Sequence, residues 1–171
     1  MKTASLSYAH LKKRREKMDS LNHPDWVPTE EALKKSMEKE IDLMREILSN
    51  MLLEEMALTG QDKSSWEGLM QNRFYLIEQV KEFRQDRINA TQKLLSLSDE
   101  KTFEKLLSDG EEISCEIVYL LDQLIALSEK INFHNKRNQN LSISPQHFIA
   151  IPYSIDYPAV KGRKNFLMTI P

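Results

Sequence analysis

The amino-acid sequence predicts an all-α protein, namely a long antiparallel helical hairpin or a coiled-coil-like three-helix bundle with an extended C-terminal tail. The 171 residues include only four glycines, and Glu, Lys, Leu, Gln, Ser and Met dominate. This composition favours long helices with solvated outer faces. Apolar residues also recur at steps of three and four in successive runs, and each run is bounded by residues that break helices.

Prolines divide the sequence into three predicted parts. Residues 1–28 form a basic helical leader followed by a linker that contains Pro24 and Pro28. Residues 29–141 form the helical domain, and residues 142–171 form the tail. Proline lacks an amide hydrogen and restricts the residue before it, so neither the linker nor the tail is expected to continue a long helix.

The first long helix is predicted to begin at Thr29, a good N-cap residue, and to end near Gly60. Its buried stripe consists of apolar residues three and four positions apart. These residues are Leu33, Met37, Ile41, Met44, Leu48 and Met51.

The second helix is predicted to begin at Asp62 or Ser64 and to end in the turn signal around Ser96–Asp99. Its apolar stripe is Trp66, Leu69, Met70, Phe74, Ile77 and Val80. Residues 84–93 are strongly polar, so we expect thinner contact with the core over that stretch.

The third helical run is interrupted by Gly110, which predicts a kink or a break at 108–111. Four asparagines in the nine residues 132–140 weaken a helix and predict that the run ends there. The apolar positions of this run are Phe103, Leu106, Leu107, Ile113, Ile117, Leu120, Leu121, Leu124, Leu127 and Ile131.

Charge and cysteine content indicate a protein of the cytosol. The net charge is −2, but residues 1–17 carry a net +5 and residues 18–136 a net −10. An acidic body disfavours non-specific binding to nucleic acid. The single Cys115 cannot form an internal disulfide, and no apolar stretch is long enough for stable insertion in a membrane. The N-terminus lacks the apolar region of a signal peptide.

No catalytic, metal-binding or cofactor-binding motif can be assembled from the sequence, so we expect a protein that is not an enzyme. The histidines are scattered at positions 10, 23, 134 and 147, and none has a partner at metal-ligand spacing. The four glycines form neither a phosphate-binding loop nor a dinucleotide fingerprint. Cys115 lies between apolar residues and is expected to be a small core side chain.

Methionine is frequent in the first helix, which carries Met37, Met44, Met51 and Met56. Methionines commonly fill irregular gaps in a core, and that is the simpler interpretation. They also recur on grooves that bind varied apolar partners. The second interpretation gains weight because few helices are present to cover the apolar stripes.

Two stretches, residues 40–87 and 117–141, together resemble the FlgN-type export chaperones of flagellar and related type III secretion systems. The first stretch matches a family helix that ends in a Glu-x-x-Ala-Leu element, which has a shortened spacing in this chain. An acidic residue follows that element, and then a second helix that leads into arginine. The second matches a last helix that runs into asparagine-rich sequence. The matching residues are Glu55-Met56-Ala57-Leu58, Asp62, Arg84 or Arg87, and Asn132, Asn135 and Asn138.

The resemblance implies a bacterial cytoplasmic chaperone without catalysis, which binds a helical segment of a secreted or flagellar protein and presents it to the export apparatus. Cargo binding would fall on the last helix and the segment after it. The implied cargo-binding residues are Ile117, Leu120, Leu121, Leu124, Leu127, Ile131, Phe148, Ile149 and Ile151. Contact with the export gate would fall on Tyr153 or Tyr157. The leader and the tail depart from the family pattern.

Other classes of protein fit the same helices. One is a coiled-coil stalk or adaptor of a secretion ATPase, or a scaffold that forms a homodimer. Such a protein would be an extended hairpin with its apolar groove closed. A small helical enzyme remains an alternative only if a metal or cofactor co-purifies with the chain.

Overall fold

Three long helices make up the fold in the computed structural model, which describes residues 23–98, 115–142 and 166–167. They are α1, Trp26–Thr59, α2, Lys63–Leu97, and α3, Cys115–Ser142. No strand occurs in these ranges, and the predicted all-α fold class is confirmed. At 1.5 Å per residue, the 34 residues of α1 span about 51 Å.

Helix α1 is the central element and packs against both α2 and α3. A short turn makes α2 antiparallel to α1. Helix α3 runs parallel to α1, because Lys34 pairs with Glu116 near the starts of the two helices while Glu55 pairs with Arg137 near their ends. The hairpin turn and the end of α3 therefore lie at the same end of the bundle.

The first helix begins at Trp26 and not at the predicted Thr29. Pro28 occupies the third helical position, where the missing amide hydrogen costs nothing because the first four amides of a helix have no intrahelical acceptor. Thr29 instead donates its hydroxyl to the carbonyl of Asp25 at 2.6 Å. The earlier start places Trp26 in the core, where it is 3% exposed.

The turn between α1 and α2 follows the prediction at both ends. Helix α1 ends at Thr59 with Gly60 as its C-cap, and Asp62 caps the start of α2. The Asp62 side chain accepts a bond from the Ser65 amide at 3.0 Å. Gln61 adopts the left-handed conformation of the turn, with φ of 57°. Gly60, with φ of −80°, does not use its freedom to do so.

Two predictions about polar stretches are wrong. The core contact does not thin out over residues 84–93, because Arg84 and Arg87 are buried together with Ile88 and Thr91. Helix α3 does not end in the asparagine-rich stretch but continues to Ser142. In both stretches, polar side chains that include Arg84, Arg87 and Asn138 occupy inward positions and form hydrogen bonds inside the bundle.

Several predicted features lie outside the described residues. These are the leader helix, the break at 108–111, and the tail residues Phe148, Ile149, Ile151, Tyr153 and Tyr157. Two residues of the tail are described, Phe166 and Leu167. Both have helical backbone where the sequence predicted an extended segment, and both are buried, at 6% and 0% exposure.

Candidate protein-binding site

The predicted cargo-binding face of α3 is part of the core. Ile117, Leu121, Leu124 and Ile131 are each 0% exposed, and Leu120 is 7% exposed. Leu127 is partly buried and packs against the same apolar cluster. A cargo helix could reach this face only by displacing α1 or the tail residues, so the open site must be sought elsewhere. Whether these residues bind cargo stays a prediction.

The heptad positions of α1 explain how the core is built. Strict alternation of steps of four and three selects the buried residues Leu33, Met37, Glu40, Met44, Ile47, Met51, Glu54 and Leu58. Two of these core positions carry glutamate. Each glutamate meets buried arginine on α2, so charge is concentrated inside the hairpin at two levels.

The first buried charge cluster joins Glu40 to Arg84 and Arg87, and we call it the middle cluster. Glu40 Oε1 accepts from Arg84 Nε at 3.0 Å, and Glu40 Oε2 accepts from Arg87 Nε at 2.7 Å. The three side chains are between 0% and 5% exposed. One carboxylate thus divides its two oxygens between two guanidinium groups, and each guanidinium donates one hydrogen bond to it.

Arg87 completes its hydrogen bonds with the C-terminal segment. Its Nη1 donates to the carbonyl oxygens of Phe166 at 2.8 Å and of Leu167 at 2.7 Å. The guanidinium carbon lies 5.3 Å from the centroid of the Phe166 ring, within the range of a cation–π contact. The two tail residues therefore supply acceptors and an aromatic face to a cation that is 1% exposed.

The second buried charge cluster joins Glu54 to Arg73 near the hairpin turn, and we call it the tip cluster. Arg73 Nε lies 3.2 Å from Glu54 Oε1, with side-chain exposures of 3% and 0%. Asn50 Nδ2 donates to the same oxygen at 2.9 Å and to the carbonyl of Leu69 at 2.8 Å. Here one anion faces one cation, and the Asn50 amide and Arg73 share one oxygen of the carboxylate.

Helix α3 supplies a second amide to this level. Asn138 is 0% exposed, and its Nδ2 donates to the carbonyl of Met51 at 2.9 Å. Burial raises the pKa of the Glu54 carboxyl, and this exceeds the opposing effect of the charge on Arg73 and of hydrogen bonds from Asn138 and Asn50. Burial likewise lowers the pKa of Arg73. Desolvation therefore outweighs the attraction within the pair.

The hydrophobicity pattern alone missed the five charged residues of the two clusters, although the sequence contains a signal for four of them. Glu40 and Glu54 are two heptads apart, and so are Arg73 and Arg87. The two glutamates lie on one helix and the two arginines on the next, at equal spacing. In an antiparallel hairpin, both Glu–Arg pairs can form together in only one register. A search for periodicity that counts only apolar residues cannot find core positions occupied by charged residues.

An open apolar surface lies at the hairpin end of the bundle. A groove of about 710 Å³ runs between the end of α1 and the start of α2. We call it the tip groove. Its walls are apolar or small, and its rim is polar. The lining residues are Leu53, Met56, Ala57, Gly60, Asp62, Ser64, Ser65, Gly68 and Leu69.

The walls of the tip groove include large side chains that face solvent. Met56 is 70% exposed and Leu53 is 48% exposed. No other atom lies within 4 Å of a Cβ built on Gly68, so the floor is open at that point. Of the four methionines of α1, Met37, Met44 and Met51 are core residues, and only Met56 lines this groove.

Within 23–98, 115–142 and 166–167, no group of three or more His, Cys, Asp or Glu side chains is placed to hold a metal ion. None of the helices in this part of the chain is long and apolar enough to cross a membrane.

Comparisons of the chain with models of protein families, with curated proteins and with solved structures find no match.

Proposed function

We propose that the chain is a protein-binding module that holds an apolar helical segment of another protein in the tip groove, and that it serves as an export chaperone. The observation that carries this proposal is the groove itself. Leu53 and Met56 stand exposed beside it, and the small residues Gly60 and Gly68 leave room for the side chains of a partner. An amphipathic helix presents apolar side chains at the spacing such a groove accepts.

The dimensions of the tip groove fit a few anchoring side chains. A volume of about 710 Å³ lies within the usual range for a binding cleft. Each large apolar side chain that a partner buries contributes roughly 1.5–3 kcal/mol before ordering costs. Micromolar binding corresponds to about 8 kcal/mol, so it needs about three to six such anchors before those costs.

The proposed biological setting rests on the resemblance to the FlgN-type chaperones. The motif Glu55-Met56-Ala57-Leu58 belongs to that resemblance, and Met56 and Ala57 line the tip groove. The proposed partner is a secreted or flagellar protein of a type III secretion system, and delivery to the export gate would follow binding. The proposed site is the cytoplasm of a bacterium.

Affinity capture from the native host tests this proposal, with bound proteins identified by mass spectrometry. The bait is the full chain, compared with a Leu53→Ser, Met56→Ser double variant. We expect the full chain to capture a secreted helical protein and the double variant to lose most of it. Tyr75→Ser is the matched control, because Tyr75 is 63% exposed and does not line the groove. Equal capture by all three baits would contradict the proposal.

The role of the α3 face is tested separately with Leu124→Asp. Leu124 is 0% exposed in the main core, so a carboxylate there should abolish cooperative unfolding and much of the helical circular dichroism. A variant that stays folded and loses only its cargo would instead place the cargo on α3, as the resemblance implies.

A second candidate is a coiled-coil stalk or adaptor, and the closed interface of the hairpin favours it. Helices α1 and α2 pair along their length, and the two buried charge clusters fill the interface between them. Such a hairpin suits a rigid arm that contacts a secretion ATPase. Capture of an ATPase subunit by the full chain, unaffected by the Leu53 and Met56 changes, would favour the stalk over the chaperone.

A further inference from the structure

The middle cluster has the features of a ligand site. Arg87 is 1% exposed, yet two of its hydrogen bonds go to backbone carbonyls that are remote in sequence. Glu40 does not supply those bonds, since its two oxygens accept from the Nε atoms of Arg84 and Arg87. A buried guanidinium without acceptors is strongly unfavourable, so whatever occupies this position must offer oxygen atoms.

The occupant must also offer apolar side chains. Phe166 and Leu167 belong to the same buried cluster that contains Leu33, Met37 and Leu94. The ring of Phe166 also faces the guanidinium of Arg87. A site with a buried cation, an apolar surround and room for an aromatic ring recognises a peptide turn with free carbonyls, an aromatic residue and an aliphatic residue in succession.

We propose that Arg87 and its apolar surround form a peptide-binding site, with the chain's own Phe166–Leu167 turn as its resident and exchangeable ligand. The site lies about 25 Å along α1 from the tip groove, given 1.5 Å per residue between Glu40 and Ala57. It is therefore a second site, independent of the function proposed for the groove. A peptide of the same class, with free carbonyls on an adjacent aromatic and aliphatic residue, would compete with the resident turn.

Two features of the chain favour exchange of the resident turn. The turn belongs to the same chain as the site, with the 23 residues 143–165 between it and α3, and intramolecular attachment commonly sets an effective concentration on the order of 1 mM. Such a concentration holds a weak ligand in place without making it permanent. Lys161, Arg163 and Lys164 precede Phe166, and residues 18–136 carry a net charge of −10. Opposite charge therefore attracts either the resident turn or a competing basic peptide.

The test is binding of a fluorescent peptide with the sequence of residues 160–171 to the full chain. The wild-type chain is compared with a Phe166→Asp variant, whose own turn can no longer occupy the site. For a peptide with Kd of about 100 µM, an effective concentration of about 1 mM makes binding to wild type about tenfold weaker than to the variant. A peptide that itself carries Phe166→Asp should bind neither chain.

Equal affinity of the peptide for the two chains, or no binding to the folded variant up to 1 mM peptide, would overturn the proposal. Circular dichroism checks that the variant is folded, and Phe166→Ala serves if Phe166→Asp is not. A second measurement uses the full chain with 4-fluorophenylalanine at position 166, a substitution that keeps the wild-type fold. Added unlabelled peptide should shift its fluorine resonance to the solvent-exposed position, and an unchanged resonance at saturating peptide would also overturn the proposal.

These outcomes are separate from those of the capture experiment, because the peptide assay needs no secreted protein and leaves Leu53 and Met56 unchanged. Failure of one site therefore leaves the other standing.

Discussion

The two buried charge clusters share a position in the pattern but differ in what completes them. Both join a glutamate of α1 to an arginine of α2 at heptad core positions, two heptads apart. The tip cluster balances one carboxylate with one guanidinium and adds side-chain amides. The middle cluster sets one carboxylate between two guanidinium groups and takes the carbonyls of Phe166 and Leu167 as further acceptors.

This difference shows that a buried Glu–Arg pair at heptad core positions can have two different roles. A local pair with amides of α1 and α3 beside it fixes the register of the hairpin without the help of a distant chain segment. A pair whose hydrogen bonds are completed by a distant chain segment is fully hydrogen-bonded only when that segment is in place. The tip cluster is therefore structural, while the middle cluster couples the hairpin to the C-terminal turn.

The largest effect is expected from Glu40→Leu, which removes the carboxylate of the middle cluster, the more heavily charged of the two clusters. The change leaves Arg84 and Arg87 buried without the carboxylate that they share. Loss of one partner from a buried ion pair commonly costs about 3–5 kcal/mol. We expect the free energy of unfolding, measured in urea, to fall by at least that range.

Glu38→Leu is the matched control for this prediction, because Glu38 lies on the exposed face of the same helix. Its free energy of unfolding should change by less than about 0.5 kcal/mol. Equal effects of the two substitutions would show that Glu40 is not buried between the arginines.

A smaller loss is expected from Arg73→Met at the tip cluster. Removal of the cation leaves Glu54 with the hydrogen bond from Asn50, and the raised pKa lets the carboxyl take up a proton more readily than an exposed one. Both effects relieve the buried anion, so we expect a loss of about 3 kcal/mol, at the low end for a broken buried pair. Urea unfolding beside Glu40→Leu measures the difference, and a larger loss for Arg73→Met would reverse the ranking of the two clusters.

The smallest effect is a pH dependence that belongs to Glu54. Burial raises the pKa of its carboxyl in the folded chain above the value of 4.5 that it has when exposed. The folded state therefore takes up the proton at higher pH than the unfolded state. Relative to Glu54→Gln, the wild-type free energy of unfolding should rise as the pH falls from neutrality through the raised pKa toward 4.5.

Thermal or urea unfolding of both chains over that pH range provides the measurement. A difference between wild type and Glu54→Gln that does not change with pH would show that burial does not shift the titration of this carboxyl.

The sequence predicted the helices well and the polar interior poorly, for a physical reason that Glu40 and Arg87 illustrate. Spacing of apolar residues, Gly60 and Asp62 are local signals, and they located the hairpin turn. A charged residue is normally solvated, so its burial depends on a partner brought from elsewhere in the chain. The pairing of α1 with α2 is not local, and neither is the contact of Arg87 with Phe166.

The same reasoning explains what became of the predicted binding face. The stripe of Ile117, Leu121 and Leu124 was predicted from its periodicity, and the structure places it against the core. Periodicity finds a buried face but does not say whether the chain itself or a partner covers it. Exposed Leu53 and Met56 lie off the stripes, so only the folded structure reveals the tip groove.

The most direct test replaces both members of each pair with methionine and compares the free energies of unfolding. For Glu54→Met with Arg73→Met, we expect a change within about 1 kcal/mol, because removing both charges of a self-contained pair is often neutral. For Glu40→Met with Arg87→Met, we expect a loss of more than about 3 kcal/mol, since Arg84 loses its carboxylate and the carbonyls of Phe166 and Leu167 lose their donor. Equal changes in the two double variants would contradict the distinction between the clusters.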